Sequence, residues 1–190
     1  MQTNVPSWRD TLSAQLDRHA HLPYSRFVSA ATVRADGRPA NRTLTFRFFL
    51  PDGRLLFTTD TRTDKVVQLA TNPWVEACWY FTDSRMQVRI SGTMECVDGS
   101  GDEELQQARL RTWRERSEES RQSFTWPHAG QLLAAADAFA KAAPALPPEN
   151  FALLILAPQQ VDILDLIPSP HSRIVYTLNG SEWQSAAINP

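Results

Sequence analysis

Asn179-Gly180 lies between two alternating runs, Arg173 to Leu178 and Trp183 to Ile188, and an Asn-Gly link of this kind favours the tight turn of a β-hairpin. Asp36-Gly37 and Asp52-Gly53 repeat the signal earlier in the chain. The first sends Phe27 to Val33 back as the run led by Arg42, and the second, after Pro51, returns the chain into Leu55 to Thr58. Val75 to Phe81 and Met86 to Val97 form the next hairpin across Thr82-Asp83-Ser84-Arg85. Phe151 to Leu156 and Gln160 to Leu166 add two apolar or alternating strands, with a bend or bulge at Ala157-Pro158. About eight strands without a βαβ repeat predict a mainly β chain closed as an antiparallel barrel, which removes edge strands.

Helices are expected at the barrel ends. Ser7 to Leu22 reads as an amphipathic helix, capped by Ser7, with Trp8, Leu12, Leu16 and Ala20 at helical spacing and Pro23 ending it. A short helix from Asp64 to Thr71 stops at Asn72-Pro73. Gly101 to about Ser120 turns to Glu, Gln, Arg and Leu, predicting an exposed helix with Leu105, Ala108, Leu110 and Trp113 on its buried side. Its arginines, Arg109, Arg111, Arg114 and Arg116, and Arg121 beyond it, are interspersed with Glu115, Glu118 and Glu119; they read as a solvated, salt-bridged face, with one or two as candidates to reach an anionic substrate. Gln131 to Ala143 reads as an alanine-rich helix ended by Pro144 to Pro148.

A chain of 190 residues with 42% hydrophobic and 21% charged residues suits a single domain spanning 1–190. The formal net charge of −2 gives no electrostatic case for nucleic acid or a membrane surface, so functional positive charge must be local. Cys78 and Cys96 fit small buried hydrophobes, and no metal-ligand spacing involves them or the four histidines. Without a signal-peptide pattern or an apolar run of about 20 residues, a cytoplasmic location is the default expectation.

The local charge sits at Thr59-Asp60-Thr61-Arg62-Thr63-Asp64-Lys65, a polar turn between a strand and a helix. An oxyanion there could accept hydrogen bonds from the Thr59, Thr61 and Thr63 hydroxyls, from Arg62 and Lys65, and from backbone N–H groups opening the helix. Upstream, Asn41 to Phe49 alternates so that Leu44, Phe46 and Phe48 share one face, while Arg42 and Arg47 fall on opposite faces if no bulge intervenes. Two arginines in one strand are costly unless used. Downstream, Phe124-Thr125-Trp126-Pro127 is a candidate wall for a flat aromatic ligand, or else plain core.

The order of these segments resembles the pyridoxamine 5′-phosphate oxidase-like flavoproteins, the FMN-binding split-barrel family. The matching residues run from Arg42 to Arg47, through Phe57-Thr58-Thr59 and Thr63-Asp64-Lys65, to Asn72-Pro73 and Gln87-Val88; Ser169-Pro170-His171-Ser172-Arg173 looks like the family's Arg-x-His-x-Arg segment without its first arginine. The match covers most of 25–97 and 150–190, and the helical segment 101–148 fits poorly. The resemblance implies a split barrel of six to eight antiparallel strands, FMN as cofactor, and a homodimer holding FMN in clefts between two protomers. It implies that Arg42, Thr63 and Lys65 hold the phosphate, that Thr43, Leu44, Thr45, Thr58 and Thr59 line the ring, and that Gln87 bonds near it. Arg173 would approach the ring edge from the other subunit. The family's arginine before the lysine is Asp64 here, and Arg62 is the expected replacement.

For the substrate side, the resemblance points to Arg47 and His171 as contacts for a small molecule, but Ser169 replaces an arginine and Leu164 a flavin-contacting tryptophan. Three functions follow: an FMN-dependent oxidoreductase passing hydride to flavin N5, an authentic pyridoxamine/pyridoxine 5′-phosphate oxidase, or an FMN store or sensor without turnover.

Overall fold

The computed structural model describes residues 7–100 and 102–190. Helix α1, Trp8–Arg18, begins where the Ser7 hydroxyl accepts from the Asp10 N–H at 3.1 Å, and buries Trp8, Leu12 and Leu16. It ends before Ala20, which is exposed, and His19 fills the last buried position.

Strands β1 (Phe27–Val33), β2 (Pro39–Thr45), β3 (Phe48–Phe49) and β4 (Leu55–Asp60) precede α2 (Asp64–Thr71). Then come β5 (Trp74–Phe81), β6 (Met86–Val97), α3 (Glu103–Arg114), α4 (Glu118–Gln122), β7 (Phe151–Asp165), β8 (Ser172–Asn179) and β9 (Glu182–Ile188). All ladders are antiparallel in one curled sheet ordered β2-β1-β5-β6-β7-β4-β3, with β8 and β9 continuing from β7. The mainly β split barrel is thus borne out, with nine strands among the described residues instead of about eight.

The ninth arises at the seam. The Phe46 N–H donates to the Arg26 carbonyl on the β1 side, whereas the Arg47 N–H donates to the Leu56 carbonyl of β4, both at 2.9 Å. The expected single run from Asn41 to Phe49 therefore crosses from one sheet edge to the other. That crossing breaks the alternation: Leu44 and Phe46 enter the main core, while Phe48 packs with Leu50 and Leu56 in a second cluster. A closed ladder is replaced by a covalent crossing.

Strand β7 is the centre of the architecture. From Leu153 to Asp165 it pairs with β6, while its other edge is shared, Phe151 to Leu156 with β4 and Gln160 to Asp165 with β8. Inside the barrel it meets Trp79, Phe46 and Phe57, whose ring centroids lie 5.9 to 6.5 Å apart across Trp79. Outside, Leu153 and Ile155 are covered by Leu105 and Ala108 of α3. Two covered faces explain why Phe151 to Leu156 is apolar throughout, each such burial being worth about 1.5–3 kcal/mol. The expected bend is a register shift at Ser91/Gly92 opposite Ala157-Pro158, within one continuous strand. A Cβ on Gly92 would stand 2.1 Å from the Ala157 carbonyl oxygen, so only glycine allows that approach.

Two expectations for the middle segment are corrected. The single helix divides because Asp102 caps α3 through the Leu105 N–H at 2.9 Å, and Ser117 caps α4 through Ser120 at 3.2 Å. Gln131 to Ala143 is not a helix; it holds one 3₁₀ turn at Ala136–Phe139. Leu132 and Leu133 are 96% and 91% exposed, so the apolar stripe of such a helix has no surface to pack on, and propensity alone does not hold a short helix. Trp113, Phe124 and Phe151 pin the segment to the barrel at centroid distances of 4.9 to 5.5 Å.

Candidate functional site

The polar turn is built by β4 delivering Thr59 inward and by α2 starting immediately after it. Lys65 Nζ donates to the hydroxyls of Thr63 at 2.7 Å and Thr59 at 3.2 Å, while Thr63 itself donates to the Asp60 carbonyl. Arg42 reaches the same place from β2, donating to Thr32 Oγ1 at 2.6 Å and Gln68 Oε1 at 3.0 Å. A pocket of about 310 Å³ gathers Arg42, Thr63, Asp64, Lys65 and Gln68. The Thr63 side chain makes no capping bond to α2.

Neither cation has a carboxylate within 4.0 Å among the described residues. Burial, then the neighbouring Arg42, pushes the Lys65 ammonium below its ordinary pKa; burial and then Arg34 does the same to Arg42. A second pair of this kind stands where β3 and β4 meet the middle segment. Arg116 donates to Ser120 and Thr58 hydroxyls, and burial reinforced by Arg47 pushes its pKa down to about 10. Burial likewise lowers Arg47, and the Nε atoms of Arg47 and Arg116 are buried without a partner. Half-buried cations with no carboxylate within 4.0 Å among the described residues fit a site for a bound anion.

The other arginines contrast with these. Arg62 forks onto Asp60 at 2.6 to 3.1 Å and donates to the carbonyls of Phe124 and Trp126, so its fork is engaged away from the Lys65 pocket. Arg173 is paired with Asp162 at 2.7 and 3.0 Å, and Arg89 with Glu76 at 2.9 Å. Carboxylate partners hold all three above the ordinary arginine pKa. Nor are the middle-segment arginines uniformly solvated: Arg111 pairs with Glu115, but Arg109 is buried against the carbonyls of Phe151 and Pro148.

The remaining expected residues do not converge on one cavity in a single chain. Thr58 points to the middle segment and Thr59 to the interior, as alternation requires. Leu44 is core, which leaves only its backbone for a ligand, whereas Thr43 and Thr45 lie on the opposite face of edge strand β2. Gln87, Leu164 and Arg173 form one row across β6, β7 and β8 on that same outward face. Trp126 is 41% exposed beside Phe139 in a separate pocket that Arg62 also lines. His171 is exposed; its Nδ1 lies 3.0 Å from the Pro168 carbonyl, a contact in which only the ring nitrogen can donate, so in the neutral ring Nε2 is the acceptor.

Sequence reasoning missed Thr32 and Gln68, which orient Arg42, and did not single out Arg116. Gln68 lies three residues after Lys65 on one helix face, a signal that was available. Nothing local distinguishes Arg116 from its neighbours. Among the described residues no group of three or more His, Cys, Asp or Glu could hold a metal, and no helix is long and apolar enough to cross a membrane.

Residues 5–98 match the family model described as pyridoxamine 5′-phosphate oxidase, FMN-binding domain. Over 100% of both chains the sequence is 33% identical to pyridoxine/pyridoxamine 5′-phosphate oxidase 2 of Arabidopsis thaliana. The crystal structure of a pyridoxamine 5′-phosphate oxidase-related, FMN binding protein from Nostoc punctiforme superposes with a TM-score of 0.90 at 42% identity, covering 98% of this chain and 99% of that one. PhzG of Burkholderia lata, at 21% identity, shares the fold with a TM-score of 0.81 over 98% of this chain and 95% of its own. With its split barrel, the polar turn between β4 and α2 and these relatives, the chain belongs to the pyridoxamine 5′-phosphate oxidase-related family of FMN-binding proteins.

Proposed function

We propose that this chain is an FMN-dependent oxidoreductase acting on a small anionic substrate, with Arg42, Thr63 and Lys65 holding the FMN phosphate and Arg47 with Arg116 holding the substrate's anionic group. The carrying observation is that these four cations are half-buried with no carboxylate within 4.0 Å among the described residues, whereas Arg62, Arg89 and Arg173 are paired with carboxylates. The donor set fits a phosphate: two cations and a hydroxyl converge on the pocket, with Gln68 and Thr32 fixing Arg42.

Bound FMN supplies a two-electron acceptor at N5, so the protein need only bind, orient and handle protons. On this reading Thr43, Thr45 and the Leu44 backbone line the ring from edge strand β2, with Thr58 and Thr59 at its other side. Gln87 and Arg173 belong to the outward sheet face, away from the Lys65 pocket, which supports a homodimer in which a partner's Gln87 or Arg173 face completes the cleft. Trp126 closes one wall. The accepting Nε2 of His171 can take a substrate proton. Arg62 acts here as a brace for the 124–126 loop instead of as a phosphate ligand.

A second reading, pyridoxamine/pyridoxine 5′-phosphate oxidation, is favoured by the Arg47–Arg116 pair, which suits a phosphate, and by the Arabidopsis relative. Ser169 counts against it: without the expected arginine, the pyridine ring loses roughly 1.5–3 kcal/mol of charge-assisted bonding. The test is the visible spectrum of the purified protein, followed by anaerobic mixing with pyridoxamine 5′-phosphate or NADPH. Flavin bands that bleach and recover in air support an oxidase, and the effective reductant selects the substrate class. A flavin that no reductant bleaches leaves a storage or sensing protein, and a protein that neither carries nor takes up FMN refutes the proposal.

A further inference from the structure

The pocket that holds Arg42 and Lys65 also contains Asp64, which sets a negative charge where a phosphate dianion is to sit. One more cation lines that pocket. Arg34, the residue after β1, borders it from the β1–β2 hairpin, and its Nη1 donates to the Pro39 carbonyl across the turn at 2.8 Å. That bond ties the guanidinium to the opposite strand of the hairpin. The hairpin carries a second arginine, Arg38, but Asp36 takes it in a fork at 2.8 and 2.5 Å, and it does not border the pocket. Asp36 is thereby used up. Arg34 has no carboxylate within 4.0 Å among the described residues.

We propose that Arg34 is the third cation of the FMN-phosphate subsite, offsetting from the β1–β2 hairpin the charge that Asp64 places in the pocket. The inference rests on the assignment of the phosphate to Arg42 and Lys65. Three cations against one carboxylate leave two positive charges around the pocket, matching a phosphate of about −2 at neutral pH. Arg34 and Arg42 repel each other without an anion, and Arg34 lies second only to burial in lowering the Arg42 pKa. A dianion between them turns that repulsion into shared attraction. The planar fork of Arg34 also leaves donors beyond the Pro39 bond for phosphate oxygens.

The test is titration of apoprotein with FMN and with riboflavin, followed by quenching of flavin fluorescence, at low and high ionic strength. Because Arg34 is exposed, Arg34→Ala should weaken FMN roughly three- to tenfold at low salt and less at high salt. Riboflavin, which lacks the phosphate, should bind the variant as it binds the wild type. Arg38→Ala should change neither, and Arg34→Lys should recover most of the FMN affinity. If Lys65→Met weakens FMN while Arg34→Ala does not, the inference about Arg34 is overturned and the phosphate assignment stands. If neither variant changes FMN affinity, the assignment itself is wrong. Equal weakening of FMN and riboflavin by Arg34→Ala would overturn the inference, because the loss would then come from the hairpin's shape.

Discussion

Replacing Lys65 by methionine separates what the lysine does for the fold from what it does for the cofactor. In the free protein its ammonium is half-buried between two threonine hydroxyls, and burial and Arg42 hold its pKa below 10.5. A base with a lowered native pKa binds fewer protons folded than unfolded between the two values, so stability rises with pH there and the charge is a cost at pH 7. Lys65→Met keeps the stem and removes that cost, and the apoprotein should melt at or above the wild-type temperature. Binding is expected to move the other way. One charge-assisted hydrogen bond to phosphate is worth about 1.5–3 kcal/mol, or roughly 10- to 150-fold in Kd. The assay is thermal denaturation with and without FMN, alongside a fluorescence titration. At a hundredfold excess over the wild-type Kd, FMN stabilises by about 2.7 kcal/mol, and for a variant weakened fiftyfold by only about 0.65 kcal/mol. An unchanged FMN Kd in Lys65→Met would refute the assignment of the turn to the phosphate.

Other perturbations test other parts of the structure. Burial alone would raise the Asp60 pKa, but hydrogen bonds from Arg62 and Asn150 outweigh it and hold the carboxyl below 3.8. Its contribution is therefore complete above about pH 4 and is lost as pH falls through the native value; Asp60→Asn should cost roughly 1.5–3 kcal/mol at pH 7 and flatten the acid limb of the melting curve. Gly92→Ala should cost about 3 kcal/mol in chemical denaturation, since β7 must move to clear the new Cβ. Arg116→Met removes a cation whose pKa of about 10 lies below the usual 12.5, so its melting temperature should hold or rise, while any stabilisation of the wild type by inorganic phosphate at the proposed Arg47–Arg116 site should be lost. Replacing Leu132 and Leu133 together by serine should leave the protomer's stability unchanged and, if the proposed homodimer buries this apolar pair, should shift analytical ultracentrifugation towards the single chain.

Much of the barrel was legible because its faces differ so clearly. Strand β6 spans Met86–Val97 as expected, since Val88, Ile90 and Met94 alternate with polar neighbours and only one register buries them. The crossing at Phe46 and Arg47 was not legible, because Leu44, Phe46 and Phe48 keep an unbroken apolar alternation in the sequence while the hydrogen-bond partner and the buried face change. Gln131 to Ala143 has helical composition but no receiving surface, and the sequence carries no sign of that. At the candidate site, Lys65 stands out in the contiguous polar turn, whereas Arg42 enters through the family resemblance. The commitment of Arg62 depends on Asn150, which donates to Asp60 from ninety residues away, and on carbonyls of a loop no local signal could place. Arg116 likewise acquires its character from burial against Phe124 and Phe151, a tertiary property.

The position of β7 has a consequence for how the chain is made. Phe57 finds its cross-strand neighbour at Leu154, and Met94 at Leu156, so the ribosome must make the chain through β7 before either β4, paired earlier only with the short β3, or the far half of β6 has its β7 partner. Until then Leu55, Leu56 and Phe57 form an apolar strand with one bare edge, paired on the other side only with β3. Loop closure over such separations is slow, and nascent chains in that state are natural clients for holding chaperones. Synthesis halted before Phe151 should yield an aggregation-prone fragment, while extension through Asp165 inserts the one strand that joins the two halves of the sheet.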